Sequence, residues 1–284
     1  MTRSADISPL SVLLSKVDAT ADGSPSKETV ASGFPSLDAL VGGGFRRGDL
    51  VVLGGDASSG KSALALAFAI RTSAAGRRVV FLTGEMTVDR VLERVLAIEA
   101  RAKIDDLRQG KLDDVTRASA GAVAFQLRER LPVIERLAPG RGSAGVAALL
   151  DEFPNVDLLV VDSAASLMPG IRSTDEEMAT AVRELKALAL DRDTAILTTA
   201  PLPQLAARAD RRPTLDDFGA LGSVKEQADI VLGLFRQDMY EPSRDIEGAT
   251  ELLVRKNRNG PVGYVDLYFY AQWMRFEDML DPDR

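Results

Sequence analysis

Neither cysteine nor histidine occurs in the 284 residues. Without cysteine there is no disulfide framework, no thiolate metal site and no thiol nucleophile. Without histidine, Ser-His and Cys-His catalysis are excluded too, and any general base must be a carboxylate, a lysine or a tyrosine. Positive charge is in deficit: 35 Lys and Arg stand against 42 Asp and Glu, a net charge of -7. That argues against a protein that coats nucleic acid over its whole surface. Local basic loops stay open to it, because charges more than about 10 Å apart act independently at ordinary salt. No apolar run approaches the roughly 20 residues of a membrane span and no signal peptide opens the chain, so a cytoplasmic protein with no membrane partner is expected.

What is present suits a soluble globular chain, 45% hydrophobic and 27% charged. Two units are expected. Residues 1–30 read as an N-terminal arm, in which Ile7, Leu10, Leu13, Leu14 and Val17 fall at helical spacing before the linker "DATADGSPSKE". Residues 31–284 read as one α/β domain. Strand-like runs ("DLVVLGG", "RRVVFLTG", "LPVIERL", "VDLLVVDS", "TAILTTA", "ADIVLGLFR") alternate with amphipathic stretches such as "EEMATAVRELKALALD". That alternation predicts right-handed βαβ crossovers and a mainly parallel twisted sheet flanked by helices. The closing "TELLVRKNRNGPVGYVDLYFY" reads instead as a C-terminal antiparallel hairpin on the sheet's edge.

Gly55, Gly60, Lys61 and Ser62 complete G-x-x-x-x-G-K-[ST] between a strand and a helix. Loop residues Gly55, Ser58, Ser59, Gly60, Lys61, Ser62 and Ala63 then turn backbone N–H groups onto phosphate oxygens. Lys61 reaches the β- and γ-phosphates and Ser62 holds Mg²⁺. Asp56 is expected to point outward from this loop. A carboxylate on a neighbouring strand completes such a metal site, and the apolar run 158–161 ends in Asp162. Asp157, at the other end of that run, reads as a solvated strand-start residue. Glu85 lies just past the strand in "VVFLTGEMT", at the same edge, as a candidate for orienting the attacking water.

Taken together, these motifs resemble the RecA-like P-loop NTPase motor domain of the DnaB-type replicative DNA helicases. "SGFPSLDALVGGGFRRGDLVVLGG", "GEMTVDRVLERVLAIEARAKIDDLRQGKL", "RRPTLDDFGALGSVKEQADIVLGLFR" and "RKNRNGPVGYVDLYFYAQWMRFED" follow that family's order over roughly residues 31–278. The resemblance implies ATP hydrolysis with ATP and Mg²⁺ as cofactors, and Glu85 as catalytic base. It implies that Lys256 and Arg258 form a basic finger entering the adjacent subunit's nucleotide site, and hence a homo-oligomer, a hexameric ring. It also implies that loops after the fourth and fifth strands line a channel for single-stranded DNA, with Arg172, Arg208, Arg211 and Arg212 contacting backbone phosphates. No aromatic is interleaved among these arginines in the sequence, so base stacking is not expected.

Three departures matter. Only about 30 residues stand where the family has an N-terminal collar that binds primase, so primase coupling is not among the expectations. Pro201 stands where the family has its glutamine sensor, with Gln204 three positions on, and Gly219, Ala220, Leu221 and Gly222 replace an Arg-Glu-Ser-Gly run. These weaken the expectation of unwinding more than that of ATP binding. Two alternatives stand beside the helicase reading. One is a recombination and repair accessory ATPase resembling RadA, although that family's four-cysteine zinc module is missing from this cysteine-free chain. The other is a KaiC-like regulatory ATPase without unwinding.

Overall fold

The computed structural model describes residues 8–21, 28–138, 140–168, 174–202, 205 and 208–279. Its strands are β1 (Thr29–Val30), β2 (Phe45–Arg46), β3 (Leu50–Gly55), β4 (Val79–Thr83), β5 (Val133–Arg136) and β6 (Leu158–Asp162). There follow β7 (Ala195–Pro201), β8 (Ile230–Arg236), β9 (Ala249–Asn257), β10 (Gly263–Tyr270) and β11 (Arg275–Asp278). The helices are α1 (Pro9–Ala21), α2 (Pro35–Val41), α3 (Lys61–Ala74), α4 (Val88–Ala100) and α5 (Ile104–Gln109). The remainder are α6 (Asp114–Leu127), α7 (Gly142–Glu152), α8 (Asp175–Arg192) and α9 (Ser223–Gln227).

Strands β3 to β11 form one nine-stranded sheet in the order β11-β10-β9-β8-β3-β7-β6-β4-β5. Every pair from β8 through β3 to β5 is parallel, and the pairs β8/β9, β9/β10 and β10/β11 are antiparallel. Strands β3, β4 and β6 are buried on both faces, which is why they read as unbroken apolar runs. The pleat still sorts them. Val51, Leu53, Phe81, Leu158 and Val160 face the core shared with α3 and α4. Leu50, Val52, Val80, Leu82, Leu159 and Val161 face the core shared with α7 and α8. The alanine- and leucine-rich α3 lies deep in the first core, with Phe68 meeting Phe34 and Phe45 edge-on. On the other face, Thr174 and Glu177 close a capping box that starts α8.

The expected hairpin is there as β9 and β10, and a third strand, β11, extends it to the sheet edge. Its sequence, "RFED", carries one apolar residue and no alternation, so it has no strand signature of its own. Tertiary contacts hold it. Phe276 is fully buried and stacks on Phe269 at 4.4 Å. The Asp278 carboxylate accepts hydrogen bonds from the Ser36 amide and hydroxyl, both at 2.7 Å. Glu277 pairs with Arg71 at 2.7 Å.

The expectation for Asp157 is corrected. It is buried, accepts from the Arg78 amide at 2.8 Å and pairs with the Arg47 guanidinium, with Arg77 at 3.6 Å. Two guanidinium groups, of Arg47 and Arg77, and the Arg78 amide converge on the strand start and replace solvent there.

Candidate functional site

Parallel pairing sets the ends of β3, β4, β6, β7 and β8 along one edge of the sheet, where open α/β sheets take their ligands. Between β3 and α3 the chain turns through Gly60, whose φ is +102°. A Cβ there would also come within 2.9 Å of Phe276 Cζ, so both backbone angle and space demand glycine. At Gly55 a Cβ would meet Ser59 Oγ at 2.7 Å and Leu234 O at 3.0 Å. The loop is therefore packed from behind and open in front.

In front lies a cavity of about 420 Å³, lined by the loop together with Glu85, Arg94, Asp162, Thr199, Phe269 and Met274. The Lys61 ammonium donates to the Asp56 carbonyl at 2.7 Å. Burial lowers its pKa from the ordinary lysine value, against the opposing pull of Asp162, Asp56 and Glu85. Asp162 sits at the end of β6, 1% exposed. Its Oδ1 accepts from Thr199 at 2.6 Å and Ser62 at 3.1 Å, while its Oδ2 is buried without a hydrogen-bond partner. Burial pushes this carboxyl's pKa up, and the two hydroxyls oppose the push. Glu85, exposed beyond β4, accepts from Ser163 Oγ at 2.8 Å.

A buried carboxylate oxygen is costly unless something binds it. The open Oδ2, with the Ser62 hydroxyl on its sister oxygen, fits a hydrated Mg²⁺ whose waters would satisfy it. A glycine-framed loop, a half-buried ammonium and the start of α3 fit a polyphosphate. The sheet order, the loop and the Asp162 pair together describe a RecA-like P-loop NTPase.

Residues 29–278 match the family described as "DnaB-like helicase C terminal domain". The chain belongs to that family. Among similar proteins, the replicative DNA helicase DnaB of Geobacillus stearothermophilus is 28% identical over 257 residues, covering 88% of this chain and 56% of that one. The DnaB of Leifsonia xyli is 27% identical over 278 residues, covering 95% and 60%. The chain thus spans little more than half the length of these relatives. Among solved structures, an ATPase domain superposes with a TM-score of 0.87 at 22% identity, covering 96% of this chain and 99% of that one. A DnaB-like replicative helicase, described with its primase interactions, gives 0.84 at 22% identity, covering 96% and 67%.

Of the residues expected from the DnaB-like pattern, Gly55, Ser58, Ser59, Gly60, Lys61, Ser62, Ala63, Glu85 and Asp162 come together at this edge, all but Gly55 and Ser59 directly lining the cavity. Lys256 and Arg258 do not. Asn257 pairs with Ile230, the first residue of β8, so they lie at the opposite edge of the sheet. The Lys256 ammonium donates to the Lys225 carbonyl, and Arg258 donates to Asp229 and to the Glu226 carbonyl, each at 2.8 Å.

The channel arginines divide. Arg172 and the displaced Gln204 lie outside the described residues. Arg208 pairs with both oxygens of Asp217 at 2.8 and 2.9 Å, and Arg212 with both of Glu251 at 2.7 and 2.6 Å. Arg211 is held loosely, 3.9 Å from Glu241. Aromatics absent from the local sequence arrive from β8 and the turn after it. Arg211 stands 4.8 Å over the Tyr240 ring and Arg212 4.9 Å over Phe235. Asp56, expected to point outward from the loop, is not among the residues lining the cavity, and its carboxylate is tethered: Tyr240 donates to its Oδ2 at 2.9 Å.

Sequence reasoning missed Arg94, Thr199 and Ser163. Thr199 and Ser163 carry no motif beyond standing at strand ends on the right edge. Arg94 leaves a signal: it interrupts the buried stripe Val91, Val95 and Ile98 of α4, where a cation has no structural reason to stand. Its Nε is buried without a partner, and Asp162 and Glu85 attract its charge.

Proposed function

We propose that this chain is the ATP-hydrolysing motor of a DnaB-like DNA helicase, working as a homo-oligomeric ring on single-stranded DNA. The observation that carries the reading is the open, buried Oδ2 of Asp162 beside Ser62 and Lys61, with Glu85 across the same cavity. Mg²⁺-ATP, when bound, would supply the phosphoanhydride to be cleaved and a metal that neutralises phosphate charge.

The chain's own groups then divide the work. Backbone amides of the loop and the Lys61 ammonium bind the phosphates. The Ser62 hydroxyl and Asp162 would hold the metal. Glu85, oriented by Ser163, accepts the proton of the attacking water. Arg94 supports the terminal phosphate from the same subunit, and Phe269 and Met274 give the apolar wall for the base. Lys256 and Arg258 act on a neighbour's site, where a cation at the γ-phosphoryl group is worth about 10³–10⁵ in rate. Among the described channel arginines, Arg211 is the one with charge to spare for a DNA phosphate.

ATPase rates with and without single-stranded DNA, followed by a forked-duplex unwinding assay, test the reading. DNA stimulation with unwinding is expected. The carboxylate-locked Arg208 and Arg212, with exposed Leu221 in place of a charged run, favour a regulatory ATPase as the second reading. ATP hydrolysis indifferent to DNA selects it, and stimulation without unwinding selects the RadA-like accessory role.

A further inference from the structure

Asp56 is an odd residue for a loop that receives a polyanion. A carboxylate free to swing toward the phosphates repels them, and little in the loop itself prevents that. Its Oδ1 accepts only from the next amide, Ala57, at 2.7 Å. The restraint comes from 184 residues further along the chain, where the Tyr240 hydroxyl takes Oδ2 at 2.9 Å. The same residue's carbonyl receives both the Lys61 ammonium at 2.7 Å and the Ser59 amide at 3.2 Å. Fixing the Asp56 side chain therefore also fixes the backbone group on which the loop lysine rests.

Tyr240 is built to hold still. Its ring stacks on Phe235 with centroids 6.0 Å apart and planes 17° from parallel. The Arg211 guanidinium covers it at 4.8 Å. Burial, then the hydrogen bond to Asp56, pushes the phenol up to about 12, so it remains a donor throughout the range in which proteins work. A cation over a ring and a stacked partner each favour one ring position.

We propose that Tyr240 is a positioning residue for the phosphate loop, holding the Asp56 carboxylate away from the phosphates through its hydroxyl. The inference rests on the nucleotide reading of that loop. Tyr240 touches no reacting atom and acts only through Asp56.

The test is a double-mutant cycle on the full chain, reading the Kd of Mg²⁺-AMP-PNP by titration calorimetry, the KM and kcat for ATP, and the thermal midpoint. Tyr240→Phe keeps the ring stack and removes one oxygen. It is expected to raise the Kd and KM about tenfold, the scale of a lost hydrogen bond to a charged group, with kcat little changed. Asp56→Asn, which has no charge to restrain, is expected to bind at least as tightly as the wild type. In the combined variant the Tyr240→Phe loss is expected to vanish. Unchanged affinity in Tyr240→Phe overturns the proposal. So does a loss that persists in the combined variant, because a merely structural tyrosine would weaken both backgrounds alike and lower both midpoints. Failure of the wild type to bind the analogue overturns the nucleotide reading itself, and this inference with it.

Discussion

At Lys61 and Asp162 the protein keeps two opposite charges in places that disfavour both. Burial lowers the lysine's pKa and raises the carboxyl's; the Asp162 charge opposes the shift at Lys61, whereas at Asp162 it is the Thr199 and Ser62 hydroxyls that oppose it. Lys61→Ala removes the one ammonium on the loop, and Mg²⁺-ATP binding is expected to be lost in a calorimetric titration. Glu85→Gln keeps the size and the Ser163 hydrogen bond but cannot take a proton. It is expected to bind ATP and hydrolyse it at least ~100-fold slower. Asp162→Asn separates function from stability. A carboxyl whose folded pKa lies above its unfolded value loses stability as pH rises through that interval, so at neutral pH its ionised form weighs against the fold. The neutral amide is expected to stabilise the metal-free fold by about 1 kcal/mol, read as a raised unfolding midpoint, while Mg²⁺-dependent turnover collapses. A lowered midpoint would mean that Asp162 is a structural anchor.

Among elements, the site exists because five parallel strands end together, and that much was legible in the sequence. The apolar runs marked the strands, and the residues just beyond them, Glu85, Asp162 and the loop before Lys61, marked the working edge. What was not legible was whatever depends on long-range packing. The β11 strand is held by Phe276 on Phe269 of the preceding β10 and by Glu277 and Asp278 meeting α3 and α2, whose residues lie 206 and 242 positions away in the chain. The same holds for Tyr240, 184 residues from Asp56, and for Asp157 under its arginines. Local pattern finds elements; it does not find what an edge strand or a charged loop leans on. Phe276 joins the two levels, because its ring fills the space behind Gly60. Phe276→Ala is expected to destabilise the fold by about 3–5 kcal/mol, the usual cost of emptying an aromatic core site. The measurement is denaturant unfolding. A cost under about 0.5 kcal/mol, within the range of surface substitutions, would show that β11 is ornamental to the sheet.

For the whole molecule, sheet geometry decides what one chain can do alone. Phosphate loop and basic finger lie at opposite edges of the same sheet: Gly55 ends β3 beside Leu234, while Asn257 pairs with the start of β8. A rigid sheet of this kind cannot bring Arg258 to its own phosphate loop. Within one subunit Arg258 instead rests on Asp229, which Lys186 already neutralises and the Leu50 amide already engages. The parking place is thus shared, and its loss leaves Asp229 still paired. If the finger serves a neighbour, Arg258→Ala protein lacks the donated cation but keeps an intact phosphate site, and Lys61→Ala protein has the converse defect. Each alone is expected to be inactive. Mixed in equal amounts, they form interfaces that join an intact Lys61 site to an intact Arg258, and ATPase activity is expected to return to a fraction of the wild-type rate. Light scattering on the mixture must show joint oligomers for the result to count. Mixed oligomers without regained activity would place the essential cation within the subunit, leaving Arg94 as the residue to remove next.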